Sequence, residues 1–126
     1  MRIDESSGIR TLHLAPEGAS IASPDDAADL IGDAWAHDAA VVAVPVERLA
    51  DDFFDLSTGI AGEITQKFVN YRVRFVIVGD IARQLSASDA LRDYVWESNH
   101  GQHVWFVEDQ AALEMRLAMA SATTRR

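Results

Sequence analysis

Strand-length runs of apolar residues recur along the chain. Residues 39–44 are continuously apolar, which is typical of a strand covered on both faces in a parallel sheet, and residues 72–79 (RVRFVIVG) predict another buried strand. Residues 9–14 alternate between two faces as a first strand would, and residues 103–107 form a last apolar run. Residues 19–22, which follow a turn, are interpreted as a short partner of the first strand. These segments are the predicted strands of one sheet.

Segments with helical spacing separate the strands. Ser23 followed by Pro24 marks the first helix, because serine is a favourable N-cap and proline fits the first helical position. A shorter helical turn is predicted within residues 46–56. Further helix starts are predicted at Ser57-Thr58-Gly59, at Ser86 or Ser88 for a helix that ends at Asn99, and at Asp109.

Apolar residues at helical spacing predict the buried face of each helix. These faces consist of Ala27, Leu30, Ile31 and Ala34, then Ile60, Ile64, Phe68 and Tyr71, then Leu91, Tyr94 and Val95, and finally Ala112, Leu113, Leu117 and Ala120. The tryptophans, Trp35, Trp96 and Trp105, are interpreted as core or edge aromatics.

Strands alternating with helices predict an α/β fold with a single, mostly parallel or mixed sheet and flanking helices. The length of 126 residues suits one domain over residues 1–126. Residues 1–8 are polar and residues 121–126 form a polar tail, so both ends are expected to be flexible.

Composition excludes several classes of function. The absence of cysteine excludes disulfides, thiolate nucleophiles and cysteine-ligated metals. A net charge of -9 makes nucleic acid an unfavourable partner. No apolar run approaches the length of a membrane span, and the first residues lack the apolar core of a signal peptide, so we expect a cytoplasmic protein without membrane association. A homodimer is a further expectation, because the edges of a small sheet need covering.

The most distinctive block, residues 53–72, contains the helix start S-T-G-I-A-G. Such a start presents unpaired backbone N–H groups with little side-chain bulk, so Gly59 and Gly62 indicate a place for an anion. The alternative is structural: Thr58 is an N-cap, and the glycines permit close packing of helix and sheet.

A polar stripe follows on the same helix. Glu63, Lys67 and Asn70 are spaced at i, i+4 and i+7, so they project together beside the buried face, and Lys67 is the only lysine of the chain. The stripe is either the wall of a cleft or an ordinary solvated Glu-to-Lys pair.

Other candidates lie at the ends of elements. Asp80 follows an apolar strand at its carboxyl end, where α/β folds place ligand-contacting groups, although a turn aspartate is the simpler interpretation. Glu97 and Asn99 end a helix at which negative charge is unfavourable, so Glu97 needs a cation such as Arg72 or one in the Glu63-Lys67 stripe.

Motifs for metals and common catalytic chemistry are missing from the sequence. His100 and His103 form an H-x-x-H, but two ligands do not make a zinc site, and we predict neither a metal nor a cofactor. Neither a nucleophile elbow nor a glycine-rich dinucleotide fingerprint occurs.

Two resemblances add to these predictions. The segments FFDLSTGIAGEITQKFVNYR, FVIVGD and ESNHG together resemble the bacterial family called domain of unknown function 4180, whose name implies no activity. The order of elements, and the closing segment HVWFVEDQAALEMRL, resemble STAS or anti-sigma-factor-antagonist domains.

The STAS resemblance also carries a possible modification site. LSTGIAG is similar to the DSSGLG loop of those domains, which implies that Ser57 corresponds to their phosphorylated serine and Thr58 to the next residue. Leu56 stands where the family has an acidic residue, and Asp55 lies one position earlier.

Two functions follow as hypotheses. The first is a non-enzymatic regulatory domain that binds a protein partner through the Ser57 loop and the flank of the following helix, with phosphorylation at Ser57 or Thr58 resetting that surface. The second is a protein or enzyme for a small anionic ligand, held by the glycine N–H groups and Lys67, with Glu63 or Asp80 as general acid or base.

Overall fold

A five-stranded mixed sheet forms the centre of the protein. The computed structural model describes residues 1–124, with side chains described as far as Ser121. The strands follow one another in the sheet in the order of the chain, and only the first pair is antiparallel. They are β1 (Arg2–Ser6), β2 (Ile9–His13), β3 (Val41–Pro45), β4 (Arg74–Val78) and β5 (Val104–Val107). The predicted α/β class with one mixed sheet is confirmed.

Helices connect the parallel strands. They are α1 (Pro24–Ala36), α2 (Asp51–Phe54), α3 (Ile60–Asn70), α4 (Ala82–Ala87), α5 (Asp89–Asn99) and α6 (Gln110–Thr124), with short 3₁₀ turns at Val46–Arg48 and Leu56–Thr58. The helical turn predicted before α3 is therefore split into three pieces, and α4 was not predicted. Within residues 1–124, no helix combines the length and apolar character needed to cross a bilayer.

The sequential strand order places helices unequally on the two faces. Right-handed crossovers between neighbouring parallel strands put α1, α3 and α5 on the same face, where they bury the larger core. The other face is covered by α6, whose Leu113 and Leu117 pack on Val41, Val76 and Trp105. The helices α1, α3 and α5 thus form a thick layer on one face of the sheet, and α6 forms a thin layer on the other.

The first strand pair differs from the prediction. Arg2–Ser6, within a segment expected to be flexible, pairs with β2 through a two-residue turn in which Ser7 and Gly8 both have positive φ. The predicted partner strand at residues 19–22 is wrong, because there only Ile21 makes a bridge, and it does so with Leu49. At the other end, α6 extends through residues 121–124 of the expected tail, and residues 125–126 lie outside the described residues.

The predicted caps of three helices are confirmed. Ser23 accepts a hydrogen bond from the backbone N–H of Asp26 at 3.3 Å, and Ser88 accepts one from that of Leu91 at 3.1 Å. Asp109 likewise accepts from the N–H of Ala112 at 2.9 Å. Each side chain satisfies a first-turn donor that would otherwise lack a partner, which fixes where the helix begins.

Two helices end in the same motif without glycine. At the end of α3, Arg72 is left-handed with φ 58°, and its N–H and that of Val73 bond back to Val69 and Phe68. Asp38 with φ 55° closes α1 in the same way. Each is a Schellman motif that turns the chain into the following strand.

The buried faces follow the prediction with one main exception. All four residues predicted for α1 are buried, as are Ile64 and Phe68 of α3. Tyr71 is wrong: it lies just past the end of α3, is 47% exposed and packs edge-on against Trp35. Trp105 is in the core, whereas Trp35 and Trp96 are exposed.

Candidate functional site

The loop before α3 is organised by Asp55. Its Oδ1 accepts hydrogen bonds from the N–H of Ser57 at 3.1 Å and from Ser57 Oγ at 2.6 Å. This carboxylate caps the 3₁₀ turn Leu56–Thr58, and both side chains are exposed. The acidic residue that the resemblance placed one position early therefore contacts the candidate serine directly.

Thr58 and Gly59 share the start of α3. The Thr58 hydroxyl lies 2.9 Å and 2.8 Å from the carbonyl oxygens of Asp52 and Asp55 and accepts from the N–H of Ile60 at 3.3 Å. Gly59, with φ 79°, occupies the N-cap position, so the expectation of Thr58 as the N-cap is wrong. The Thr58 hydroxyl is committed to the backbone, whereas Ser57 is held only by an exposed carboxylate.

One shallow groove brings together five of the eleven predicted site residues. It has a volume of about 630 Å³ and runs along α3 beside the start of α1. Its lining consists of Pro24, Gly59, Gly62, Glu63, Gln66, Lys67 and Asn70. The predicted stripe of Glu63, Lys67 and Asn70 thus shares one surface with Gly59 and Gly62, and this surface is called the α3 groove below.

The polar side chains of the α3 groove do not neutralise one another. Gln66 donates a hydrogen bond to Asn70 at 2.8 Å. Among residues 1–124, no carboxylate lies within ion-pair distance of the half-buried Lys67, so the expected Glu63-Lys67 pair does not form. The ammonium group of Lys67 and the carboxylate of Glu63 both remain available to another molecule.

The glycines of the α3 groove are not required by packing. A Cβ atom placed on Gly59 or Gly62 would meet no atom within 4 Å, so the interpretation that they let the helix approach the sheet is wrong. Gly59 instead supplies a positive φ. Gly62 is required neither by close packing nor by a positive φ, and its lack of a side chain leaves the backbone of the first turn of α3 uncovered.

Asp80 and Asn99 lie in a different cavity. This cavity, of about 220 Å³, opens where β4 and β5 end and includes Gly79 and Glu108. Asp80 Oδ1 accepts from the N–H of Ala82 at 2.9 Å, as a turn aspartate does. Asn99 Oδ1 accepts from the N–H of Phe106 at 2.7 Å, on the edge strand β5. The structure does not bring Asp80 to the α3 groove.

Glu97 and Arg72 do not form an ion pair with each other. Glu97 is exposed on α5, and Arg72 is exposed beyond the end of α3. The described part of the chain contains no ion pair for either residue, and neither lines the α3 groove. Arg72 has a structural role as the left-handed residue of a Schellman motif.

A polar cluster on β1 and β2 was missed by the sequence analysis. Asp4 Oδ1 lies 3.0 Å from His13 Nε2, and Asp4 Oδ2 accepts from Arg2 at 2.7 Å. Burial raises the pKa of Asp4, but the hydrogen bonds and charges of His13 and Arg2 outweigh it and leave that pKa below its ordinary value. The Ser7-Gly8 dipeptide was the available signal, because a two-residue hairpin turn aligns Arg2 with His13.

The described residues offer no metal site that would indicate a type of chemistry. Across the described residues, no group of three or more histidine or acidic side chains is arranged to hold a metal ion.

A family model described as Domain of unknown function (DUF4180) matches residues 6–117. No curated protein and no solved structure matches the chain significantly.

Proposed function

The chain belongs to this family of unknown function, and from the α3 groove we propose that it is a non-enzymatic regulatory domain that binds a protein partner there. The observation that carries the proposal is the position of Gly62 in this groove, since Gly32 of α1 is equally free of neighbours but lies outside it. Glycine in a helix costs roughly 0.5 to 1 kcal/mol relative to alanine. No neighbouring atom inside the chain requires Gly62, whereas a partner that approaches the backbone of α3 would.

The shape of the groove favours a partner over a substrate. A catalytic site usually encloses its substrate and aims several polar groups at one point. The α3 groove is open, and Asp80, the second candidate acid or base, lines another cavity. Glu63, Lys67 and Asn70 instead offer separate contacts along a helix, as an interaction surface does.

Charge near the loop favours a polar protein surface over a small anion. Asp51, Asp52 and Asp55 are exposed in the segment that leads into Gly59. Their carboxylates oppose the attraction that the first turn of α3 and Lys67 would exert on an anion. A protein surface with both donors and acceptors can use Glu63, Gln66 and Lys67 together.

We further propose that phosphorylation of Ser57 regulates this surface. A phosphoryl group on Ser57 Oγ would replace the 2.6 Å hydrogen bond to Asp55 with repulsion between two anions. The turn Leu56–Thr58 depends on Asp55, so the entry to the α3 groove would change shape. Thr58 is the less suitable acceptor because its hydroxyl is bound to the backbone.

The order of elements supports the STAS-like part of the proposal. A strand pair followed by alternating helices and parallel strands is the order that the resemblance implies, once α2 and α4 are treated as parts of the connections. Ser57 lies in the turn that leads into the full helix α3, and the phosphorylated serine of those domains also precedes a helix.

Site-specific photo-crosslinking tests the partner surface. A photoreactive amino acid at Gln66, in the α3 groove, should capture a discrete protein in cells of the source organism. The same amino acid at exposed Gln102, outside the groove, is the matched control. Adducts that are identical from both positions, or absent from Gln66, would overturn the partner proposal.

Phosphosite mapping tests the regulatory part separately. Mass spectrometry of protein purified from the same cells should find phosphate on Ser57, and Ser57→Asp should change the yield of the Gln66 adduct. If Ser57 remains unmodified under all growth conditions and Ser57→Asp leaves the adduct unchanged, the partner proposal stands without regulation at this serine.

A further inference from the structure

A third cavity, separate from the α3 groove and from the cavity of Asp80 and Asn99, lies at the carboxyl ends of three strands. His13, Pro45 and Val78 are the last residues of β2, β3 and β4, and all line this cavity of about 310 Å³. Its other walls include Arg2, Leu14 and Gln110, the first residue of α6. The carboxyl edge of a parallel sheet is where α/β folds hold ligands. This cavity has no lining residue in common with the α3 groove.

His13 is held in one orientation by Asp4. The low pKa of Asp4 keeps its carboxyl group ionised, and a carboxylate can only accept hydrogen bonds, so His13 Nε2 carries the proton between them. The histidine is 7% exposed, and its Nδ1 has no hydrogen-bond partner among residues 1–124. A buried ring with one fixed nitrogen and one available nitrogen therefore lines the cavity.

We propose that this cavity binds a small aliphatic carboxylic acid, with its carboxyl group at His13 Nδ1 and Arg2 and its hydrocarbon chain along Leu14, Pro45 and Val78. An unprotonated Nδ1 and a carboxylate can both only accept hydrogen bonds, so the acid binds together with one proton, which lies between Nδ1 and one carboxyl oxygen. Arg2 has donors beyond the one that binds Asp4, and they suit the second carboxyl oxygen.

The walls of the cavity select for the rest of the ligand. Leu14, Ala43, Pro45 and Val78 are apolar and lie between β2 and β4. A phosphate ion, whose oxygens are hydrated on all sides, would lose water on the sides that face these walls, whereas a short alkyl chain gains from leaving water there. The cavity volume of about 310 Å³ is at the small end for ligand sites, which suits a short chain.

Imidazole NMR tests the proposal directly on the full chain. The chain has four histidines, so ¹⁵N–¹H imidazole spectra are simple, and His13→Gln identifies the signals of His13. Titration with straight-chain acids from acetate to hexanoate should shift the His13 signals saturably. The neutral isostere butyramide and inorganic phosphate should not shift them.

Matched variants locate the binding. His13→Gln can still donate to Asp4, and Arg2→Gln is on the surface, so both should fold while binding butyrate about tenfold more weakly or worse, as followed on backbone amides. His103→Gln, at an exposed histidine, should bind as the wild type does. A flat titration with every acid, an equal response to butyramide or phosphate, or unchanged affinity in folded His13→Gln would overturn the proposal.

Discussion

At Gly62 a methyl group would enter open space, as it would at Gly32 in α1. We predict that Gly62→Ala and Gly32→Ala each raise the free energy of unfolding by about 0.5 to 1 kcal/mol, because alanine loses less backbone entropy in a helix. Urea denaturation followed by circular dichroism measures both. A loss of stability in Gly62→Ala would show that the glycine has a structural role inside the chain.

The same pair of variants separates stability from binding. Gly62 lines the α3 groove and Gly32 does not. We therefore expect Gly62→Ala to reduce the yield of the Gln66 photo-adduct severalfold, with Gly32→Ala close to the wild type. Equal yields from the two variants would mean that the partner does not approach the backbone at Gly62.

Asp4 gives the stability of the fold an acid dependence. Its pKa is lower in the folded chain than its ordinary value of 3.8, so its contribution is complete above that value and is lost as the pH falls below it. We predict that Asp4→Asn flattens the fall in unfolding free energy that occurs as the pH drops below 3.8. Denaturant midpoints at several pH values measure this slope.

A second carboxylate provides the control for Asp4. Asp93 is exposed on α5 and makes no hydrogen bond or ion pair within the described residues. Asp93→Asn should therefore keep the wild-type acid slope. If Asp4→Asn also keeps it, the contacts of Asp4 with His13 and Arg2 do not persist in solution.

At the scale of elements, the end of α3 contains strain that a substitution can remove. Arg72 adopts a left-handed conformation, which costs a residue with a Cβ atom about 1 to 2 kcal/mol relative to glycine. We predict that Arg72→Gly raises the free energy of unfolding by about 1 kcal/mol and that Arg72→Ala does not. Thermal and urea denaturation compare the two, and equal effects would indicate that the guanidinium group matters instead.

Elements were predictable where their signal is local. A serine or aspartate cap and a run of apolar residues act on their own neighbours, and Ser23, Ser88 and Asp109 begin helices as predicted. The strand Arg2–Ser6 was missed because only pairing with β2 makes its polar sequence a strand. Tyr71 was misplaced because α3 ends one residue before it.

In the candidate site, too, local features were predictable from the sequence and contacts between elements were not. The stripe Glu63, Lys67 and Asn70 follows from helical spacing alone, so the sequence placed it correctly on one surface. The position of Asp80 relative to that surface depends on how the elements pack together. In the structure Asp80 lines a different cavity. The contact between Asp4 and His13 depends on hairpin register, which spacing within one strand cannot reveal.

At the scale of the whole molecule, the two faces of the sheet are covered by different numbers of helices. Three long helices bury one face, whereas α6 covers the other with Leu113 and Leu117. Arg74 and Arg116 lie 4.3 Å and 4.4 Å from the ring of Trp105, and burial lowers the pKa of both, with the charge of Arg116 adding to the effect on Arg74. Loss of α6 would therefore expose Trp105 and remove one of its two cationic neighbours.

A single substitution in α6 tests how far the whole fold depends on this thin layer. Leu113 is fully buried between α6 and the sheet, so Leu113→Ala should lower the free energy of unfolding by about 2 to 5 kcal/mol. Met115, 66% exposed on the same helix, gives the matched control, and Met115→Ala should stay within about 0.5 kcal/mol of the wild type. Trp105 is the buried tryptophan, so a red shift of its emission at lower urea than the loss of circular dichroism would show α6 leaving first. Coincident transitions would instead mean that the thin layer and the thick layer unfold as one cooperative unit.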